Sequence, residues 1–199
     1  YTGTFYPKET NVSGKLFVKQ VENYTDNDKR TEIAQLIIDA ASSNILRNLR
    51  YYQERGKELE EIIEQIKALR KGIFRTQNVE ELMGVEGSIR KVYYDSWNII
   101  VNQEIDFEKR VKRPPDNMIN TMISFLNTLV YTAFLSEIYV SQLNPTISYL
   151  HSVGDRRFSL SLDLAEIFKP LLADRVIFSL LNKKMITEKD FAKDSNYFY

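Results

Sequence analysis

The sequence predicts an all-α protein, and three observations support this fold class. The chain has 199 residues, of which 43% are hydrophobic and 27% charged, as in one large globular domain. From residue 25 onward, apolar residues recur three and four positions apart in five to eight segments, which is the spacing of a helix with one buried face. Strand-like alternation of apolar and polar residues is confined to residues 1–24. We therefore expect a multi-helix domain preceded by a short extended element.

The first 24 residues contain β-branched and aromatic residues interrupted by Pro7 and Gly14. This composition predicts extended chain or a short hairpin, as at the end of an upstream β region. The chain starts at Tyr1 and stops at Tyr199 without a helix-ending signal, so we expect a fragment whose C-terminal part is incomplete. The predicted organisation is an extended junction over residues 1–24 and a helical domain over residues 25–199.

Capping residues and breakers place the helices of this domain. Asp28 is expected to cap a first long helix that Gly56 ends, and a charged amphipathic helix follows. Asn78 or Thr76 can cap a third helix, which is expected to continue through Ile100.

The second half of the chain is more apolar. The helix after Asp116 is apolar nearly throughout, so we expect it to be the central buried helix. A short helix is predicted over residues 143–150, and Pro170 is expected to interrupt the helical stretch that starts near Phe158. Thr187, with an acid three positions later, is expected to open a last helix.

Composition excludes several classes of function. Cysteine is absent, which rules out disulfides, thiolate metal sites and cysteine nucleophiles, and suits a reducing compartment such as the cytoplasm. Lys and Arg balance Asp and Glu at 27 each, so any positive potential for nucleic acid must be local. No run of about eighteen uninterrupted apolar residues occurs, so we predict neither a membrane span nor a membrane partner.

A single histidine lies close in sequence to two acids. His151 precedes a polar turn, and the helix-like run after this turn carries Asp163 and Glu166, which share a helix face. This combination indicates a divalent-metal cluster. The alternative is a hydrogen-bonded boundary histidine with two solvated acids.

A further acid, Glu86, lies between Gly84 and Gly87 in the third predicted helix. Each interior glycine costs a helix about 1 kcal/mol relative to alanine. Either close helix packing offsets this cost, or bare backbone lets a ligand approach Glu86. Phosphate loops, paired Glu-x-x-His motifs and nucleophile elbows are absent from the sequence. What remains is an oxygen and nitrogen site built from Glu86, His151 and Glu166, which suits Mg²⁺ or Mn²⁺ and does not exclude Zn²⁺.

Three blocks of sequence carry a resemblance to a known family. They are Met83-Gly84-Val85-Glu86-Gly87 followed by Arg90 and Tyr94; Arg113-Pro114-Pro115-Asp116 followed by Asn120 and Ser124; and Asn144-Pro145 leading to Tyr149-Leu150-His151, then Ser159-Leu160 through Asp163-Leu164-Ala165-Glu166. In order and spacing these blocks resemble the CRISPR-associated integrase and endonuclease of the Cas-one family. Two positions depart from the family pattern, since Ser148 replaces a common glycine and Lys169 a common arginine.

The resemblance implies a metal-dependent enzyme that inserts spacers into a CRISPR array by transesterification. It implies that Glu86, His151 and Glu166 are catalytic and bind Mg²⁺ or Mn²⁺, with Asp163 in an auxiliary role. It also implies a homodimer formed through a missing N-terminal β domain, a Cas-two family partner, and double-stranded DNA as prespacer and as CRISPR repeat. The expected DNA-binding cations are Arg90, Arg110, Lys112, Arg113, Arg156, Arg157 and Lys169.

Two other functions remain open at this stage. One is a non-catalytic helical scaffold that provides dimer and partner contacts. The other is a hydrolytic DNA nuclease with no role in integration. The sequence alone does not decide between these and the integrase.

Overall fold

The protein is described here by a computed structural model, which covers residues 13–105, 107–112, 114–154, 158–194 and 197–198. The helices are α1 (Gly14–Thr25), α2 (Asn27–Gln53), α3 (Glu60–Arg70), α4 (Val79–Asp95), α5 (Trp97–Ile100), α6 (Met118–Val140), α7 (Ser159–Lys169) and α8 (Arg175–Asn182). Short 3-10 turns cover Ile73–Arg75 and Glu188–Asp190, and strands β1 (Lys193–Asp194) and β2 (Tyr197–Phe198) form an antiparallel pair. The all-α prediction is confirmed.

The extended N-terminal junction is wrong over residues 14–24, which lie in α1. The Ser13 side chain caps this helix by accepting a hydrogen bond from the Leu16 backbone N–H at 3.3 Å. Gln20 is buried and exchanges two hydrogen bonds with the backbone of Asn144. Capping and this long-range anchor outweigh the strand-like composition. Residues 1–12 lie outside the described residues, and the domain boundary stays a prediction.

The central helix is α2, which contacts α1, α3, α4 and α7. Its inner face contributes buried residues such as Ala34, Ile38, Ile45 and Leu49 to the main hydrophobic core. The expectation that the apolar helix after Asp116 would be central is wrong. That helix is α6, and its Phe125 is 62% exposed. High apolar content identified α6 as hydrophobic, but the packing position depends on neighbours that the local sequence does not encode.

Within the described residues, α6 alone is long and apolar enough to cross a membrane. Its mean hydropathy is 1.4, and 33% of the apolar window is buried inside the protein. Helix length and composition are the only evidence for a membrane span, and a core helix of a soluble protein meets the same two criteria. The helix also packs against α7 and α8. The absence of a membrane partner therefore stays a prediction.

The predicted helix ends were mostly close to the observed ones. Asn78 caps α4 as expected, by accepting from the Glu81 N–H at 2.9 Å. The caps of α2 and α6 are Asp26 and Asn117, each near the predicted residue.

Two predicted helices differ from the structure. Residues 143–150 are not helical, because the Asn144 side chain accepts from the Thr146 N–H at 2.9 Å and closes a turn around Pro145. Thr187 and Asp190 form the expected capping box, but they open only the short 3-10 turn.

Pro170 interrupts the last helical stretch, as predicted, through a π-helical turn over Pro170–Asp174 that joins α7 to α8. Two side chains of α2 support this turn. Asn44 Nδ2 donates to the carbonyl oxygen of Ile167 at 2.8 Å, and Asn48 Nδ2 donates to the carbonyl oxygen of Pro170. The irregular backbone is thereby hydrogen-bonded to the central helix.

Asn48→Ala should destabilise the fold by about 1–3 kcal/mol, because it leaves the Pro170 carbonyl and the Arg175 Nε–H without their partner. Urea unfolding followed by circular dichroism measures this change. Asn98→Ala is the control, since Asn98 is exposed and donates only to Phe107. Equal stability losses in the two variants would contradict a supporting role for Asn48.

Candidate active site

One guanidinium joins the acids of two helices. Arg90 on α4 donates from Nε to Glu86 Oε1 at 2.9 Å, and its Nη2 pairs with Glu166 Oε2 on α7. The Arg90 side chain is only 14% exposed, so solvent screens these pairs weakly. Arg90 therefore brings Glu86 and Glu166, which are 80 positions apart in the sequence, to one side-chain cluster.

A second cation reaches Glu166 from its own helix. Lys169 Nζ pairs with Glu166 Oε1, and the Glu166 side chain is 11% exposed. Burial raises the pKa of Glu166, but Arg90 and Lys169 outweigh it and, with a smaller contribution from His151, bring the pKa down to about 2. Glu166 is therefore ionised at neutral pH.

Asp163 holds the loop that carries the histidine. Its carboxylate is fully buried and accepts hydrogen bonds from the backbone N–H groups of Tyr149, Leu150 and His151, at 2.6, 3.0 and 3.0 Å. The Ser148 hydroxyl closes the same loop by donating to the His151 carbonyl at 2.7 Å. Ser148, where the family commonly has glycine, is thus used structurally here. The described residues of this loop lie in neither a helix nor a strand, so Asp163 supplies the acceptors that their backbone needs.

The same carboxylate orients the His151 ring. Asp163 Oδ1 lies 2.8 Å from His151 Nδ1. A carboxylate oxygen accepts, so Nδ1 carries the proton in this pair, and a neutral ring would offer the lone pair of Nε2 to a ligand. A carboxylate behind a histidine is the arrangement that commonly orients metal-binding imidazoles. Asp163 thus orients His151, and its auxiliary role at a metal site stays a prediction.

The donors fit a divalent cation in their chemistry. Glu86 and Glu166 offer carboxylate oxygens, and His151 offers Nε2, which together suit Mg²⁺ or Mn²⁺. Across the part of the chain that the structure describes, however, no three His, Asp or Glu side chains are close enough to hold an ion. Arg90 and Lys169 are the cations that neutralise Glu166 instead. The metal assignment stays a prediction.

The two glycines beside Glu86 are not explained by close packing. A Cβ atom built on Gly84 or Gly87 would meet no atom within 4 Å among the described residues. Both glycines are exposed, and Glu86 is 20% exposed in its side chain. The space along this face of α4 is open, which favours ligand approach over helix packing as the role of the glycines.

Comparison with known proteins identifies the family. The sequence profile of the CRISPR-associated protein Cas1 family matches residues 1–199. The chain belongs to the Cas1 family. A curated Cas1 endonuclease from Fusobacterium nucleatum is 66% identical over 197 residues, which are 99% of this chain and 58% of that protein. The chain thus spans about three fifths of the length of the curated Cas1 proteins that it matches.

Solved structures share the fold. A Cas1 protein from Thermotoga maritima superposes with a TM-score of 0.88 at 42% identity, over 100% of this chain and 62% of that one. A casposase bound to integration product superposes with a TM-score of 0.83 at 26% identity, over 92% of this chain and 54% of the casposase. The helical arrangement described above is therefore a Cas1 arrangement.

The expected DNA-binding cations of this Cas1 chain have different surroundings. Arg110 donates to Asn120 Oδ1 at 2.9 Å and to the Ser124 hydroxyl at 2.8 Å, so it ties its loop to α6. Arg90 and Lys169 pair with Glu166, and Lys112 is exposed. Arg113, Arg156 and Arg157 lie outside the described residues. The DNA-binding assignments stay predictions.

Sequence reasoning missed a buried polar network behind Arg90. Asp174 accepts from the Tyr93 hydroxyl at 3.0 Å, and that hydroxyl accepts from Asn48 Nδ2 at 3.3 Å. Burial raises the pKa of Asp174 to about 6, although Arg90, Tyr93 and Lys169 act in the opposite direction; Glu166 adds to the rise. The only local signal was one acid in an apolar run, Leu171-Leu172-Ala173-Asp174.

Asp163→Asn should cost at least about 3 kcal/mol of stability, because a single amide oxygen cannot replace a carboxylate that accepts from three backbone N–H groups and an imidazole. Urea unfolding measures the loss. The control is Asp28→Asn in the exposed first turn of α2, which should change stability by less than about 1 kcal/mol. A loss no greater than that of the control would contradict the anchoring role of Asp163.

Asp174→Asn should change the pH dependence of stability. Since the folded pKa lies above the ordinary 3.8, the acidic form is favoured in the fold, and ionisation costs stability as pH rises from 4 through 6. The amide keeps an acceptor for Tyr93 and cannot ionise. The stability of the variant relative to wild type should therefore rise by up to about 3 kcal/mol between pH 4 and pH 7.

Thermal or urea unfolding across that pH range tests this expectation. Asp95→Asn, at the exposed end of α4, makes the same charge change without burial and should track the wild type. A difference between Asp174→Asn and wild type that does not vary with pH would contradict the raised pKa.

Proposed function

We propose that this chain carries the catalytic region of a divalent-metal-dependent DNA integrase and endonuclease that inserts spacers into a CRISPR array. The observation that carries the proposal is the convergence of Glu86 and Glu166 on Arg90, with His151 oriented by the acid one turn before Glu166. Membership of the Cas1 family and similarity to a casposase bound to integration product support it.

The reaction we propose is a transesterification at the CRISPR repeat. The 3′-hydroxyl oxygen of the incoming prespacer forms a bond to a repeat phosphorus as the bond from that phosphorus to a repeat oxygen breaks. The attacking hydroxyl loses its proton and the departing oxygen gains one, so one phosphodiester replaces another. No nucleoside triphosphate is consumed, in keeping with the lack of a phosphate loop in the sequence.

Glu86, His151 and Glu166 would hold Mg²⁺ or Mn²⁺, which when bound would polarise phosphate oxygens as a Lewis acid. The protein side chains prepare for this in distinct ways. Arg90 and Lys169 keep Glu166 ionised, Asp163 fixes the ring orientation of His151, and the open backbone at Gly87 leaves room beside Glu86.

We further propose that the complete protein works as a homodimer with a Cas-two family partner, on double-stranded prespacer and repeat DNA in the cytoplasm. These partners are inferred from the family. The chain described here covers only part of its relatives' length.

Three substitutions test the site. His151→Ala, Glu86→Gln and Glu166→Gln should each abolish strand joining. Each should also weaken Mn²⁺ binding by more than the roughly 10- to 100-fold that loss of an outer-shell partner costs. Calorimetry and a gel assay with labelled prespacer measure the two effects. Glu80→Gln, in the exposed first turn of α4, is the matched control and should leave both unchanged.

The form of the DNA end separates the candidate reactions. Prespacers with a free 3′-hydroxyl should yield joined product, and prespacers ending in a dideoxynucleotide should yield none. Cleavage at equal rates with both ends and no joined product would instead identify a hydrolytic nuclease. Unchanged Mn²⁺ binding in all three variants would favour the non-catalytic scaffold.

A further inference from the structure

A groove on the outer face of α2 gathers arginines that no site described above uses. It has a volume of about 620 Å³ and is bounded by Ser43, Asn44, Arg47, Arg50, Tyr51 and Glu54 on α2 and by Arg175 on α8. The α2 residues recur three and four positions apart, so they form one stripe on the helix. We call this surface the arginine groove.

The arginine groove is positively charged. Three arginines face one glutamate in its lining, while the whole chain has no net charge. Arg47, Arg50 and Arg175 are exposed, and none of them forms an ion pair with any residue that the structure describes. Arg47 and Arg50 lie three positions apart, where like charges repel on a helix. An anion bound between them would offset that repulsion.

An aromatic ring lies among the arginines. Tyr51 is 42% exposed, and the Arg55 guanidinium carbon lies 3.5 Å from the centre of its ring. The Arg175 guanidinium carbon lies 5.8 Å from the same centre. Planar guanidinium groups bind phosphate with two parallel hydrogen bonds. Arg55 covers one face of the Tyr51 ring, and a base can stack on the exposed part of the ring or on a guanidinium plane. Arginines interleaved with an aromatic ring favour a nucleic-acid strand over an acidic peptide.

The groove is hydrogen-bonded to the helix that carries Glu166, yet it is separate from the candidate active site. Asn44 in its wall donates to the carbonyl of Ile167, the residue after Glu166. Arg175 donates from Nε to Asn48 Oδ1 at 2.7 Å, and Asn48 supports the π-helical turn. None of the lining residues is Glu86, His151 or Glu166. A strand bound here would therefore be held close to α7 without occupying the reacting position.

We propose that the arginine groove binds the phosphate backbone of a nucleic-acid strand, without reading its sequence, and so positions DNA relative to α7. The identity of the ligand as DNA rests on the proposed function. The contact is one of charge and stacking, so its strength should fall steeply with salt.

The test compares Arg47→Ala/Arg50→Ala with wild type in binding to fluorescent DNA, a duplex with a single-stranded 3′ extension, over a series of NaCl concentrations. Loss of two phosphate contacts should weaken binding at least about tenfold at low salt and reduce the slope of log K against log [NaCl] by about 1.5–2. The effect should be the same for DNAs of unrelated sequence. Circular dichroism and Mn²⁺ binding, measured in parallel, should remain at wild-type values.

Three further variants sharpen the comparison. Lys183→Ala/Lys189→Ala removes two exposed positive charges outside the groove and should change the slope little. Arg47→Lys/Arg50→Lys keeps the charge, so it should retain most of the slope while losing part of the affinity. Tyr51→Ala should weaken binding of the single-stranded extension more than of blunt duplex.

The outcomes separate this inference from the proposed function. Wild-type affinity and slope in Arg47→Ala/Arg50→Ala, or equal losses in the lysine control, would overturn the arginine groove even if the protein joins DNA ends. A reduced slope in the groove variant without any joined product from wild type would support the groove and overturn the integrase. Absence of DNA binding by wild type would overturn both.

Discussion

The neutralisation of two acids between α4 and α7 is the constraint on which the candidate site depends. The side chains of Glu86 and Glu166 are largely shielded from water. Burying an unpaired carboxylate in this way would cost several kcal/mol of folding free energy. Arg90 meets both acids and Lys169 meets the second, so the cluster is charged but compensated. The low pKa of Glu166 follows from this pairing. Without it, burial would raise the pKa of Glu166 and disfavour the anionic oxygens that a divalent cation requires.

Asp163 fixes both the irregular loop before α7 and the orientation of the His151 ring. The described residues between α6 and α7 lie in no helix or strand, and their buried N–H groups still need acceptors. Asp163 supplies them from the first half of α7, and the same carboxylate accepts a hydrogen bond from His151 Nδ1. Backbone and ring are thus fixed by one side chain, so the position of His151 depends on α7 as directly as that of Glu166 does.

Local signals carried most of the sequence prediction, and tertiary contacts account for its failures. Asn78 caps its helix and Pro170 interrupts its own, because both effects act within a few residues of the chain. The N-terminal helix was missed because Gln20 is held by Asn144, which is 124 positions away. Glu86, His151 and Glu166 were proposed from their ligand chemistry and from the resemblance, and their catalytic role stays a prediction. The pairing of Arg90 with both acids, and the burial of Asp174, depend on how α4 meets α7, which no local pattern encodes.

The central helix α2 connects these features, because its two faces serve different purposes. Asn44, in the wall of the arginine groove, and buried Asn48 donate to carbonyls of α7 and the π-helical turn, while Arg47 and Arg50 face solvent. Residues one helical turn apart on a rigid helix keep a fixed separation. Any strand bound to the arginine groove would consequently be held at a constant distance from the helix that carries Glu166. Binding and chemistry would then be separable by substitution but coupled in geometry, since Asn48, which stabilises the irregular turn, also accepts a hydrogen bond from Arg175 of the groove.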